Sequence, residues 1–198
     1  MSKTKSFDTR QMVLLALLTA IVVVLQFLGA FIRFGPFSIS LVLMPIAVGA
    51  ALIGVWAGAW LGLAFGVVVL LSGDAAVFLA IDPFGTVIVV LLKGALAGLA
   101  AGAVYKTLEK TNKTTAAVSA AAACPIVNTG IFILGTYVFF LPTITEWAAA
   151  AGFASATAFI FIGMIGLNFI VELILNFVLS PVIIRLIQFG RDRAANAG

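Results

Sequence analysis

The sequence contains no histidine, a single cysteine and few charged side chains. Because histidine is absent and Cys124 has no second cysteine to pair with, three features are excluded. They are a serine–histidine triad, an internal disulfide, and a zinc or iron site built from His and Cys. Charged residues make up 9% of the chain, whereas a soluble domain carries about 25%. The chain is therefore not a soluble globular domain, and no cofactor or metal is predicted for it.

Long hydrophobic runs dominate what the sequence does contain. Apolar residues form 64% of the chain, and the mean hydropathy is +1.28. A helix that crosses the hydrocarbon core needs about 20 mostly apolar residues. We therefore predict an all-α integral membrane protein, a six-transmembrane-helix bundle in which residues 1–198 form a single membrane domain. The expected spans are about 11–30, 38–53, 55–71, 84–105, 115–140 and 156–187.

Basic residues predict the orientation of this bundle. With six spans, the basic clusters within 3–10, 106–113 and 185–193 all lie on one side. The positive-inside rule assigns that side to the cytoplasm, so we expect a multi-pass protein of the cell membrane with both termini inside. The rule also accounts for the pI of about 9.6 without a nucleic-acid partner. A cleaved signal peptide is the alternative at the N-terminus, although its apolar run exceeds the usual length of about 7–15 residues.

Glycines recur every four residues in two of the expected spans. The positions are Gly54, Gly58, Gly62 and Gly66 before and within the third span, and Gly94, Gly98 and Gly102 in the fourth. Lipid tails are as apolar as leucine, so membrane helices associate through close packing at small residues. These two glycine stripes therefore predict helix contacts within the bundle.

A few polar side chains fall at membrane depth. Lys93 lies near the middle of the fourth span, and Asn128 follows a proline in the fifth. Asn168, Glu172 and Asn176 share one face of the sixth span. An ionisable group at this depth costs about 2.5–3.5 kcal/mol on insertion scales and usually faces the protein interior or a wet cavity. These groups either line a ligand cavity or hold the bundle together through a Lys93–Glu172 pair and interhelical hydrogen bonds.

Three outer segments, 31–38, 72–84 and 141–155, carry aromatic side chains. They could fold over a cavity as a lid, since small-ligand sites are mostly apolar with a few polar anchors. Alternatively, their aromatic residues anchor the protein at the lipid headgroups. From these segments and the spans, the candidate substrate-binding residues are Arg33, Phe37, Asp74, Asp82, Lys93, Asn128, Trp147 and Asn168.

Motifs that would power or catalyse a reaction are missing. The sequence has no P-loop for ATP, no nucleophile with a base beside it and no carboxylate pair spaced for hydrolysis. It also lacks two repeated halves, which are common in self-sufficient secondary transporters. This pattern favours a membrane subunit that binds a ligand and depends on a partner for energy.

Four stretches of the sequence carry a family resemblance. They are Ala16-x-x-x-Ala20 in the first span, FGPFSISLVLMPIAVGAALIG at 34–54, WAGAWLGLAFGVVVLLSGD at 56–74 and DPFGTVIVVLLKGALAGLAAGAVYK at 82–106. With the length, the six expected spans and the cytoplasmic ends, they make the chain similar to the S components of energy-coupling factor (ECF) vitamin transporters. The resemblance covers nearly the whole chain.

The resemblance implies a membrane subunit that captures a vitamin from outside with high affinity. It would dock on a transmembrane coupling protein that carries two ATPase subunits, and Ala16 and Ala20 would contact that coupling protein. The three outer segments would close over the ligand. ATP hydrolysis by the partners would topple the bundle and release the vitamin inside, which agrees with the missing P-loop.

The resemblance indicates the transporter family more specifically than it indicates the vitamin. The stretches 38–54 and 58–71 look nearest to S components associated with pantothenate, and Lys93 would suit a carboxylate in low dielectric. Riboflavin, folate, cobalamin or another vitamin stays open. Two other functions also stay open. One is a ligand-free scaffold that binds partner helices through its glycine stripes, and the other is a small enzyme that acts on lipid through Asp74 and Asp82.

Overall fold

The structure, a computed structural model of the chain, describes residues 8–30, 33–34, 37–38, 40–166, 169–176, 178 and 185. Within these residues the helices are α1 (Thr9–Gly29), α2 (Leu43–Leu52), α3 (Val55–Leu71), α4 (Ala76–Ile81), α5 (Pro83–Leu108), α6 (Lys113–Gly135), α7 (Leu141–Ala150) and the short α8 (Ala156–Ala158). A π-helical segment, Thr136–Phe140, joins α6 to α7, and a second, Phe159–Met164, follows α8. Residues Phe169–Asn176 are also helical. Arg33–Phe34 (β1) and Phe37–Ser38 (β2) pair as an antiparallel hairpin.

Several helices are long and apolar enough to cross a membrane. In the described part of the chain these are α1, α5 and the continuous helix Lys113–Ala150, which includes α6 and α7. Residues Ala156–Met164 and Phe169–Asn176 form a fourth crossing if the 42° bend between them lies within one span. Apart from the short β hairpin, the regular structure of the described residues is helical, which confirms the all-α prediction with several apolar helices. The count of six spans, the single-domain boundaries and the side on which the termini lie stay predictions.

The second expected span differs most from its sequence-based boundaries. Its helix α2 begins at Leu43 rather than at residue 38 and has only 10 residues, because residues 37–38 belong to β2. Eight residues of α2 are buried, among them Leu43 and Ile46. A helix that is hydrophobic all round is enclosed by protein as readily as by lipid. Hydropathy alone therefore does not distinguish this short inner helix from a full crossing.

Two of the outer segments are largely helical. Segment 72–84 contains α4, and most of segment 141–155 forms α7. Pro142 lies in the first turn of α7, directly after the π-helical segment, and it has no backbone N–H to donate to the preceding turn. The segment after the fifth span, which we expected to be a connection outside the helices, instead continues the same helix as far as Ala150.

Polar side chains define where α5 and α6 begin. The Oδ1 atom of Asp82 accepts a hydrogen bond from the backbone N–H of Gly85 at 3.0 Å. The Oδ1 atom of Asn112 accepts from the backbone N–H groups of Thr114 and Thr115 at 2.8 and 3.1 Å. Such caps satisfy N–H groups that have no partner inside the helix. Asp82 therefore has a structural function at the start of α5.

The glycine stripes of α3 and α5 face each other in a backbone-to-backbone contact. A methyl group built on Gly62 would overlap the carbonyl oxygen of Gly94, and one built on Gly94 would overlap that of Gly62. Gly58 and Gly98 are related in the same way. The predicted helix contact within the bundle is confirmed, and it leaves no room for a side chain at these four positions.

Two hydrophobic clusters fill the interior. The larger cluster joins α1, α2, α3, α5 and α6, and its buried members include Val22, Leu43, Leu61, Ala97 and Cys124. The smaller cluster lies among α4, α5, α7 and the two π-helical segments, and its members include Phe78, Val89, Phe140, Ile144 and Ile160. Both clusters contribute residues to one cavity, which therefore lies where they meet.

We expect Gly62→Ala to destabilise the protein, because the added methyl group would meet the Gly94 backbone, which cannot change rotamer to yield. Overpacking of this kind costs about 1–3 kcal/mol. Thermal unfolding of the detergent-purified protein measures the effect. Gly130→Ala is the matched control, since its new methyl group would have no atom of a neighbouring element within 4 Å. Equal melting temperatures for the two variants would contradict the assigned contact.

Candidate functional site: a polar cavity inside the bundle

A cavity of about 80 Å³ lies between α3, α4, α5, α6 and the helical residues Phe169–Asn176. One buried water needs roughly 10–15 Å³, so the cavity has room for a polar group together with several waters. Four phenylalanines line it: Phe65, Phe78, Phe132 and Phe169. The polar lining residues are Ser40, Asp74, Lys93, Asn128, Thr129 and Glu172. An apolar wall with a few polar groups is typical of small-ligand sites.

Lys93 brings a positive charge to the cavity. It lies on α5 directly before Gly94 and is partly exposed. Its Nζ atom is 5.7 Å from the ring centroid of Phe65 and 5.5 Å from that of Phe132, both within the distance of about 6 Å at which a ring attracts a cation. Among the residues described, no carboxylate oxygen lies within 4.0 Å of this nitrogen. Among the described residues Lys93 and Glu172 therefore do not form a direct ion pair, and Glu172 acts on Lys93 through its charge.

Asn128 brings a buried amide to the same cavity. Its side chain is 5% exposed, and its Oδ1 atom has no hydrogen-bond partner among the described residues. Asn128 lies on α6 one turn beyond Pro125, which interrupts the backbone hydrogen bonds of that helix. A buried acceptor left unpaired costs about 1–3 kcal/mol. A ligand group or water that donates a hydrogen bond to this oxygen would remove that cost.

Two carboxylates in the cavity connect distant parts of the chain. The Oε1 atom of Glu172 accepts a hydrogen bond from the backbone N–H of Ser40 at 3.0 Å. The Oδ2 atom of Asp74 accepts one from Nε2 of Gln26, a residue of α1 that is 1% exposed, at 3.1 Å. The charges of both carboxylates also act on Lys93. Asp74 and Glu172 therefore stabilise the bundle and set the electrostatics of the cavity.

Phe78 of α4 joins the cavity to a cluster of aromatic rings. Its ring centroid lies 5.6 Å from that of Phe132, 5.0 Å from that of Phe140 and 6.3 Å from that of Trp147, each in an edge-to-face arrangement. Met164, the last residue of the second π-helical segment, also lines the cavity. Single π-helical turns are frequent at functional sites. Both π-helical segments thus adjoin this region.

The structure brings three of the sequence-predicted substrate-binding residues together. Asp74, Lys93 and Asn128 lie in the cavity wall, from the α3–α4 connection, α5 and α6 respectively. Asp82 and Trp147 are not among the lining residues. Asp82 caps α5, and Trp147 packs against Phe78. A binding role for these two residues stays a prediction.

The remaining predicted residues lie in the β hairpin, in α1 or outside the described residues. Arg33 and Phe37 contribute backbone to the β hairpin, while their side chains and the whole of Asn168 lie outside the described residues. Ala16 and Ala20, predicted for docking, are both exposed on α1. The buried stripe of α1, which includes Leu18, Val22 and Gln26, is on the opposite side of that helix.

Gln26, Ser40 and Phe78 contribute to the site although the sequence analysis did not single them out. Gln26 offered a signal, because it is an amide within the apolar run 21–30 of the first span. Ser40 acts through its backbone N–H, which no side-chain pattern reveals. Phe78 is one of 17 phenylalanines, so its residue type alone did not distinguish it as a site residue.

The lining groups are suited to binding rather than to bond breaking. They offer one ammonium, one amide, two carboxylates and two hydroxyls around an aromatic wall. In the part of the chain that the structure describes, no three His, Cys, Asp or Glu residues cluster to hold a metal ion. The arrangement can hold a small organic molecule by its polar groups while the rings contact its apolar surface.

Comparison with known proteins identifies the family. The profile of the family described as "ECF transporter, substrate-specific component" matches residues 10–184. The solved structure of ThiT from Listeria monocytogenes has a similar fold, with a TM-score of 0.64 and 23% sequence identity, over 91% of this chain and 99% of that one. A search of curated proteins gave no match. The chain belongs to the family of substrate-specific components of ECF transporters.

Proposed function

We propose that this chain is the high-affinity subunit that captures a water-soluble vitamin outside the cell for an ATP-driven ECF importer. The observation that carries the proposal is the cavity, in which Lys93 and Asn128 present polar groups inside a bundle that is mostly apolar. Such groups are costly in a membrane protein and commonly mark substrate pathways. Family membership supports the same function.

Energy for uptake would come from partner proteins. We assign ATP hydrolysis to two ATPase subunits and force transmission to a transmembrane coupling protein, since the chain has no P-loop. Ala16 and Ala20 would form the contact with the coupling protein. Their exposure on α1 supports this, because small residues four apart let two helices approach closely.

The two other functions considered from the sequence are less well supported. A scaffold would need its glycine stripes free for partner helices, but the stripes of α3 and α5 are engaged with each other. A lipid-modifying enzyme would need Asp74 and Asp82 to act together. Asp82 instead caps α5, and Asp74 accepts a hydrogen bond from Gln26.

We expect one water-soluble vitamin to stabilise the detergent-purified protein strongly. Pantothenate is our first choice, and the panel includes riboflavin, folate, cobalamin, biotin, nicotinate and thiamine. At a ligand concentration of about 100 Kd, binding adds about 2.7 kcal/mol to the free energy of unfolding. A thermal-shift assay detects this readily. Absence of a shift with every vitamin, in protein shown to be folded, would count against the proposal.

We expect the double variant Ala16→Trp/Ala20→Trp to lose vitamin uptake while it keeps vitamin binding. Two indole rings would hold the coupling protein away from α1, whereas the cavity residues are untouched. Uptake of radiolabelled vitamin by cells that contain the whole transporter measures the first property, and titration of the purified subunit measures the second.

Ala103→Trp is the matched control for this experiment, because Ala103 is also exposed but lies on α5. Its uptake should remain near that of the original protein. Normal uptake in the double variant, or an equal loss in the control, would reject the assignment of the docking face to Ala16 and Ala20.

A further inference from the structure

Two groups in the cavity have unused hydrogen-bonding capacity of opposite kinds. The Lys93 ammonium has three N–H donors and, among the residues described, makes cation–π contacts but no hydrogen bond or ion pair. The Oδ1 atom of Asn128 is a buried acceptor without a donor from the described residues. A ligand that satisfies both groups must present an acceptor at one point and an N–H or O–H donor at another.

The carboxylates in the cavity restrict where a negative charge on the ligand can lie. Asp74 and Glu172 already accept hydrogen bonds from Gln26 and Ser40. Each would repel an additional anion placed beside it, and Lys93 is the one cation among the described lining residues. Among the described lining groups the ammonium is therefore the one that attracts an anionic group of the ligand, and the charges of Asp74 and Glu172, which also act on Lys93, disfavour a second anionic group.

The surroundings of Lys93 strengthen its interaction with an anionic group of the ligand. The ring centroids of Phe65 and Phe132 lie 5.7 and 5.5 Å from the ammonium nitrogen, so apolar surface borders the charge. An ion pair in such a low-dielectric site is stronger than one in water. A cationic ligand group at the same point would meet like charge, and a purely apolar group would leave the three N–H donors unsatisfied.

We propose that the ligand carries a carboxylate that binds Lys93 and an N–H or O–H group that donates to Oδ1 of Asn128. This inference rests on the proposed function and specifies the substrate class of the same cavity. Hydroxy acids and amido acids meet both requirements. A vitamin without a carboxylate does not.

The test compares acids with neutral analogues of nearly the same shape. The pairs are pantothenate with pantothenol and biotin with biotinamide, each titrated calorimetrically into the detergent-purified full chain. Riboflavin and thiamine serve as a neutral and a cationic vitamin without a carboxylate. For the acid that binds, we expect the neutral analogue to bind about 10- to 100-fold more weakly, as for loss of a hydrogen bond to a charged group.

Variants then assign this discrimination to the two residues. Lys93→Met should reduce the ratio of acid to analogue affinity to near 1, and Lys93→Gln, which keeps a donor without the charge, should do the same. Asn128→Leu should weaken acid and analogue by a similar factor of about 10 and leave their ratio unchanged. Lys106→Met, at an exposed lysine on the same helix, should change neither. Melting of the ligand-free proteins confirms that each variant is folded.

The outcomes separate this inference from the function on which it rests. Preferential binding of riboflavin, thiamine or a neutral analogue would overturn the carboxylate assignment and leave vitamin capture intact. A preference for the acid that persists in both Lys93 variants would also overturn it. Failure of every vitamin to bind the folded protein would overturn the proposed function together with the inference.

Discussion

The cavity depends on the close approach of α3 and α5. With glycine facing glycine, the two backbones touch, and the residues beside the stripes are brought together. Lys93 directly precedes Gly94, and Phe65 directly precedes Gly66. The 5.7 Å distance between the lysine nitrogen and the phenylalanine ring is a result of this contact. Small residues in a membrane bundle here determine the position of a charge as well as the packing of helices.

Hydrogen bonds over long sequence separations complete the polar framework. Gln26 reaches Asp74, and the backbone of Ser40 reaches Glu172. Each bond satisfies a group that would otherwise be costly at membrane depth. α1, which also carries the predicted docking face, is thereby joined directly to a residue of the cavity wall. The first helix thus has one side towards the ligand region and the other towards the exterior of the bundle.

Much of this arrangement could be predicted from composition and periodicity. Hydropathy located α1, α3 and α5 to within a few residues, and the four-residue glycine spacing predicted the α3–α5 contact. The start of α2 and the continuation of α6 through a π-helical turn into α7 could not be predicted, because apolar residues are common to inner helices, crossings and outer segments alike.

The site could be predicted only in part, for a similar reason. Ionisable and amide groups in apolar runs drew attention to Lys93, Asn128 and Asp74, all of which line the cavity. The helix-capping role of Asp82 depends on the helix boundary, and the contribution of Ser40 comes from its backbone. Neither is visible without the fold.

The glycine contact between α3 and α5 also limits how the cavity can adapt to a larger ligand. Two helices that touch through their backbones leave no space for a closer approach. We therefore expect α3 and α5 to keep their separation when a ligand binds. We therefore expect any enlargement beyond about 80 Å³ to involve the other lining elements, which are Phe78, α6 and residues Phe169–Asn176. Lys93 lies on one of these two helices, so its ammonium would keep its position while the other lining elements move.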